Sequence, residues 1–209
     1  MLVLDHFFIL TSPDAPVADR LRDFGLREGP RNDHPGQGTS NRRFYFANTM
    51  LELLWVRDAE EAAAGTAHDL QFPQRSARPD ASPFGLIFRC EDEDDPAVPF
   101  PGWQYHPAYF DEARFFHVGA NSTHLHEPLC VHWPFAPPSA PEPPRDARSV
   151  LEVRIHVACE QLSEVLQTVN EVEGLALEAT AEHLIEVIIG GDAGSLDLRP
   201  DLPMVIHNR

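Results

Sequence analysis

A chain of 209 residues is long enough for one large domain or for small modules that share a core. Hydrophobic residues at 43% and charged residues at 23% are the proportions of a folded globular protein, which excludes a disordered chain. The formal net charge of −17 excludes nucleic acid and anionic membrane surfaces as natural partners, because binding them relies on lysine and arginine.

The three cysteines, Cys90, Cys130 and Cys159, are odd in number and lack CxxC spacing. Neither a disulfide framework nor a thiolate zinc site is therefore expected, and a reducing compartment is. The N-terminus has no basic leader, and no apolar run approaches the length of a signal core or a membrane span. A cytoplasmic location is expected.

Val3 to Leu10 (VLDHFFIL) reads as a strand with Leu4, His6, Phe8 and Leu10 on one face and Val3, Asp5, Phe7 and Ile9 on the other. Ser12 or Asp14 can cap a helix expected over Ala15 to Phe24, and Gly25 stops it. A short strand near Leu26 to Gly29 follows. The turn from Asn32 to Ser40, with Pro35, Gly36 and Gly38, then delivers an antiparallel pair, Arg42 to Phe46 and Met50 to Val56.

In the last of these strands Glu52 is the only carboxylate. Met50, Leu54 and Val56 share its face, and Leu51, Leu53 and Trp55 fill the other. A carboxylate placed there needs a cation, a metal or several hydrogen-bond donors, which makes it a candidate for function. The plainer alternative is a buried ion pair with Arg42 or Arg43.

Asp58 to Ala67, rich in Ala and Glu, is expected to be helical, and a Pro-rich link leads to a strand at Phe84 to Cys90. Fourteen of the twenty prolines lie between Pro73 and Pro144, so irregular loops should outweigh helix in the middle third. The acidic run Glu91 to Asp95 reads as a solvated loop. Two more strands, Arg114 to Val118 and Glu127 to Trp133, are joined by the polar turn GANSTHLH. Glu127 precedes Pro128 at a strand entrance and faces inward or outward on equal grounds, while His124 and His126 read as surface histidines.

Ser139 to Arg145 (SAPEPPR) forms a stiff connector. The final unit has a strand at Val150 to Val157, a helix at Gln161 to Val172 and strands near Leu175 to Glu178, His183 to Ile189 and Ser195 to Arg199. Its order of elements matches that of the first unit, with Asp197 near the place of Glu52 and Arg154 near that of His6.

No GxSxG elbow is present, and no cysteine stands in a recognisable Cys/His context. The turn HPGQGTSNR is not a phosphate-binding P-loop, since no GK[ST] follows and a strand comes next. It offers the Gly38 and Thr39 amides, the Asn41 carboxamide and the Arg42 guanidinium to an oxyanion, or else it is a structural turn satisfying its own backbone.

Paired βαβββ units with a His on a first strand and a Glu on a fourth, together with LDHFFIL, HPGQGTSNR and LELLWV, resemble the glyoxalase-like domain family. That family lies within the vicinal oxygen chelate superfamily, which includes glyoxalase I and the extradiol dioxygenases. The resemblance is strongest over Met1 to Arg57. It implies an α+β fold in which βαβββ modules form a half-open mixed β-barrel. Residues 1–57 would be the first module, 58–138 a Pro-rich link with a partial, helix-poor β module, and 139–209 the connector with a C-terminal βαβββ module.

The resemblance further implies a divalent metal ion, Zn, Ni, Mn or Fe, on His6, Glu52 and Glu127. The remaining ligand place falls near Gly85 or Leu86, neither of which binds metal. Glu52 and Glu127 would double as catalytic groups, and His34, Gly38, Thr39, Asn41 and Arg42 would bind substrate. The implied function is a metal-dependent lyase or isomerase acting on a small oxygenated organic substrate through a metal-stabilised oxyanion. An extradiol dioxygenase fits less well, since only one His is well placed. The alternative is a metal-free protein that binds or sequesters a small molecule on the same fold. Relatives that pair modules across a dimer make a homodimer part of the expectation.

Overall fold

Alternation along one strand sets the architecture. Phe7 and Ile9 of β1 (Leu2–Leu10) point into the main core, whereas Phe8 and Leu10 point the opposite way into a smaller apolar cluster that lines a cavity. The computed structural model describes residues 1–91, 98–111, 114–135 and 147–209, so the acidic run past Glu91 and the Pro-rich connector at 139–145 lie outside the described residues.

After β1 come α1 (Ala18–Asp23), β2 (Arg27–Glu28), β3 (Asn32–His34), β4 (Thr39–Tyr45) and β5 (Met50–Val56). Then follow α2 (Ala59–Ala62), a 3-10 turn at Gly65–Leu70, α3 (Phe72–Ala77), β6 (Phe84–Cys90), β7 (Gly102–Tyr105), β8 (Phe116–Gly119) and β9 (Leu129–Trp133). The strands form one sheet in the order β2-β4-β5-β1-β6-β9-β8-β7, with β3 alongside β4. β1 pairs in parallel with β5 and antiparallel with β6, which joins a βαβββ module to a helix-poor one. The terminal strands β2 and β7 do not pair with each other, so this mixed barrel is half-open.

The C-terminal part contains β10 (Val150–Ala158), α4 (Glu164–Val169), β11 (Leu175–Thr180), β12 (Leu184–Ile189), β13 (Gly194–Asp197) and β14 (Met204–Asn208). They form a second sheet in the order β11-β10-β12-β14-β13. Val153, Ile155, Val187 and Ile206 from this sheet share one core with Phe7, Ile9, Leu53 and Leu86 from the first, together with Leu21 of α1 and Leu166 of α4. Each such side chain contributes about 1.5–3 kcal/mol by leaving water. Among the described residues no helix is long and apolar enough to cross a membrane.

Several elements depart from the sequence expectation. Proline did not prevent α3, because Pro73 sits in its first turn, where a missing amide costs nothing. The expected helix from Asp58 stops early, at Ala62, and Gly65 adopts φ +55 in the turn beyond it. The last unit carries one strand more than expected, β14, which inserts between β12 and β13.

That insertion changes which residues correspond. The sequence β11-β10-β12-β14-β13 repeats β5-β1-β6-β9-β8, with the same alternation of parallel and antiparallel pairs. Each copy also has a register shift near the start of its central strand, between Leu4 and His6 in β1 and between Val150 and Glu152 in β10. Glu152, not Arg154, therefore occupies the place of His6. Ala176, facing Arg154 in register as Glu52 faces Phe8, occupies the place of Glu52. Asp197 lies on the edge strand β13, exposed, and holds Arg199 at 2.7 Å.

Gly85 explains how the second module closes against the first. It faces Phe8 across the antiparallel pair, and a Cβ there would come within 2.0 Å of the Phe8 ring. The ring lies over the bare backbone and supplies the apolar surface that Gly85 lacks. Gly85→Val should therefore lower stability by about 1–3 kcal/mol in urea melts by forcing the ring out. An unchanged midpoint would show that the ring moves aside without cost.

Candidate functional site

Strand register gathers the polar groups. β4 and β5 set Arg43 opposite Glu52 and Asn41 opposite Leu54, while β1 and β5 set His6 opposite Met50 and Phe8 opposite Glu52. Residues two apart on a strand share a face, so the first module directs His6, Arg43 and Glu52 into one cavity of about 360 Å³. Asn41 Nδ2 donates to Glu52 Oε1 at 2.8 Å, and Asn41 Oδ1 accepts the Asn32 amide at 3.1 Å, which fixes how the carboxamide is turned. The facing module offers Ile87, Phe116, Leu129, Val131 and Trp133, an apolar wall.

The register shift in β1 decides how His6 is held. Regular alternation would send Asp5 to the opposite face, but the bulge lets its Oδ2 bond His6 Nδ1 at 2.6 Å. Asp5 in turn meets Arg89 Nε at 3.2 Å. The Nδ1 contact leaves Nε2, on an imidazole that lines the cavity, without a hydrogen-bond partner among the described residues. Burial pushes the His6 pKa down, but the Asp5 hydrogen bond and the field of Glu52 outweigh it, and the net shift is upward. His34, on the same cavity, goes the other way because burial dominates.

A second chain of hydrogen bonds closes the rim. His34 Nδ1 bonds Thr39 Oγ1 at 2.9 Å, and Gln37 Nε2 donates to the same oxygen at 2.7 Å. Gln37 Oε1 accepts both Tyr105 at 3.1 Å and Tyr109 at 3.3 Å. Burial raises the pKa of both phenols, which keeps them neutral donors.

The other expected site residues lie elsewhere. Glu127 does not line the cavity: it is buried, and its two oxygens accept Ser163 N at 3.1 Å and Ser163 Oγ at 2.7 Å. Ser163 is the N-cap of α4, so the carboxylate ties that helix start to the middle module, where a negative charge is favourable. Arg42 points to the other face of β4, where it pairs with Glu28 at 2.6 Å and Asp19 at 3.0 Å. Gly38, at φ +70, packs its backbone against the start of α2, and its carbonyl accepts the Arg57 and Asp58 amides. Thr39 acts through its hydroxyl on His34, while Asn41 orients Glu52.

This donor set does not fit the expected divalent ion. A catalytic site of this kind takes three protein ligands as a rule, and Glu127 is committed to Ser163. The place on β6 is Gly85, and the Phe8 ring lies over it. Arg43 brings a positive charge into the same cavity. Among the described residues no three His, Cys, Asp or Glu side chains converge to hold a metal. A larger open groove of about 1010 Å³ runs between α3 and the C-terminal sheet, but Arg78 there is paired with Asp80 and His183 accepts the Ala158 amide.

Sequence reasoning missed Asp5, Gln37, Tyr105 and Tyr109, and it named Arg43 only as an alternative ion-pair partner of Glu52, whose Oε1 is held by Asn41 instead. Arg43 carried a readable signal, since it shares a face with Asn41 two residues earlier, whereas Arg42 does not. The tyrosines come from an aperiodic Pro-rich stretch and carried none.

A family model described as a glyoxalase-like domain matches residues 4–150. No curated protein matches the chain. Among solved structures, a hypothetical protein from Staphylococcus aureus is similar at 11% identity with a TM-score of 0.59, covering 100% of this chain and 99% of that one. That likeness is one of fold. A hypothetical protein from Bacillus halodurans C-125 matches at 14% identity and a TM-score of 0.40, covering 67% of this chain and 98% of that one. A methylmalonyl-CoA epimerase matches at 15% identity and a TM-score of 0.38, covering 63% and 93%.

The Asp5 contact predicts a signed shift. Imidazole titration by NMR should place His6 above the ordinary histidine value and His34 below it, and Asp5→Asn should lower His6 by removing the charge that favours its protonated form. A His6 pKa unmoved or raised in Asp5→Asn would mean that the bulge has no electrostatic role.

Proposed function

Because the chain belongs to the glyoxalase-like domain family, matched over residues 4–150, we propose that its function resides in the cavity framed by β1, β4, β5 and the helix-poor module. It binds a small organic molecule with an apolar body and one oxygenated end. The observation that carries this reading is the division of the cavity wall. Polar groups from the first module, His6, Arg43 and Glu52, face hydrocarbon and aromatic surface from the second. Pockets of this size and composition hold small ligands, with the few polar groups setting orientation. The reading takes the metal-free alternative, which is supported by Glu127 being committed to Ser163 and by the Phe8 ring lying over Gly85.

Proton transfer on the bound molecule is a second reading, favoured by the Asp5–His6 pair. His6 Nε2 would give a proton to a developing oxyanion, as a histidine oriented by a carboxylate does. Glu52, held at Oε1 by Asn41, keeps Oε2 to take a proton from the neighbouring carbon.

Calorimetric titration with the neutral probe cinnamyl alcohol tests the binding reading. One site per chain is expected, with affinity weakened about tenfold or more by Val131→Trp, which fills the apolar end. Binding that ignores the substitution would remove the cavity from consideration. For proton transfer, the protein should accelerate deuterium exchange beside the carbonyl of benzylacetone in heavy water, and Glu52→Gln should slow it by about 100-fold or more. Exchange at the buffer rate leaves a binding protein.

A further inference from the structure

We propose that the molecule held in this cavity is an organic anion, a monocarboxylate with an aryl or branched-alkyl body, and that Arg43 is the residue that anchors its carboxylate. The inference rests on the cavity being a ligand site and adds the charge of the ligand.

The argument starts from the charge balance. With 33 acidic and 16 basic side chains, most arginines find a carboxylate, and two that do not, Arg75 and Arg148, bond backbone carbonyls and an asparagine side chain instead. Arg22, Arg31, Arg42, Arg57, Arg78 and Arg154 each hold one within 2.9 Å. Arg43 does not. Its Nε donates to the Pro30 carbonyl at 2.8 Å and its guanidinium stands 6.0 Å from the centre of the Tyr45 ring, but no carboxylate lies within ion-pair distance among the described residues.

That isolation is notable because Glu52 stands directly opposite Arg43 in the β4–β5 register, where an ion pair would ordinarily form. Asn41 holds Glu52 Oε1 instead, so the carboxylate and the guanidinium line one cavity without meeting. The terminal nitrogens of Arg43 have no hydrogen-bond partner among the described residues. A guanidinium presents its paired donors in the geometry of a carboxylate, which makes this an anion receptor with its partner still to come.

The surroundings agree. Asp5, beside His6, is answered by His6 and Arg89, leaving Glu52 as the one carboxylate that lines the cavity among the described residues. Beyond these polar groups the lining turns to Phe8, Leu54, Ile87, Val131, Phe116 and Trp133, surface suited to a hydrocarbon body. A volume of about 360 Å³ sits at the small end of ligand pockets, which argues for a compact body.

The test compares cinnamate with cinnamamide, which share shape and differ in charge. By isothermal titration calorimetry the acid should bind about tenfold or more tightly than the amide, the advantage of a charge-assisted pair. Arg43→Met should erase that preference by weakening cinnamate about tenfold or more, and an unchanged urea-melt midpoint would show that the variant keeps its fold. Arg43→Lys, which keeps the charge but not the fork, should retain part of the preference. Equal affinities for acid and amide in the unmodified protein would overturn the assignment and leave the cavity reading standing, as would a preference that survives in Arg43→Met. If neither compound nor cinnamyl alcohol binds, the cavity reading falls and takes this assignment with it.

Discussion

The site depends on a one-residue slip in β1. A strand that alternated without interruption would carry Asp5 to the face that Phe7 and Ile9 bury, where an ionised group is costly. The bulge keeps Asp5 beside the imidazole and within reach of Arg89. One local irregularity thus answers the charge of Asp5 and fixes the His6 ring. Because β1 joins the two modules, the same slip sets where His6 stands relative to Glu52 on one flank and Ile87 on the other.

From that constraint follows the division of labour between modules. The first contributes the ionisable groups, and the second contributes Ile87, Leu129, Val131 and Trp133. A metal shared between modules needs donors from both sides. Here one candidate place is glycine under an aromatic ring, and the other, Glu127, serves the start of α4. At the polar end of the cavity Asp5 holds His6 and Asn41 holds Glu52, while His6 Nε2, Glu52 Oε2 and the Arg43 terminus have no hydrogen-bond partner among the described residues.

How much of this was legible in the sequence varied with the range of the forces involved. The α+β class came with the family resemblance that LDHFFIL, HPGQGTSNR and LELLWV carry. β5 and β6 fall where their apolar runs begin and end, because most side chains in them are buried and the signal is local. His6 and Glu52 stand out as polar groups in apolar strands for the same reason. The bulge at Asp5 does not, since it exists only in register with β6, some eighty residues away in the chain. The fate of Glu127 depends on Ser163, another distant partner. Arg42 and Arg43 mark the middle ground: period two, counted from Asn41, separates them, but a loop-like reading of the HPGQGTSNR segment hides the strand that begins at Thr39.

The Glu127–Ser163 contact has a bearing on how the molecule comes apart. Helix α4 contributes Val165, Leu166 and Val169 to the core shared with the first sheet, yet its opening turn is fastened by a carboxylate from the middle module. Peeling the C-terminal sheet away would strand that carboxylate without its donors and expose both sheets' inner faces at the same moment. The shared core and this contact couple the stability of the two halves.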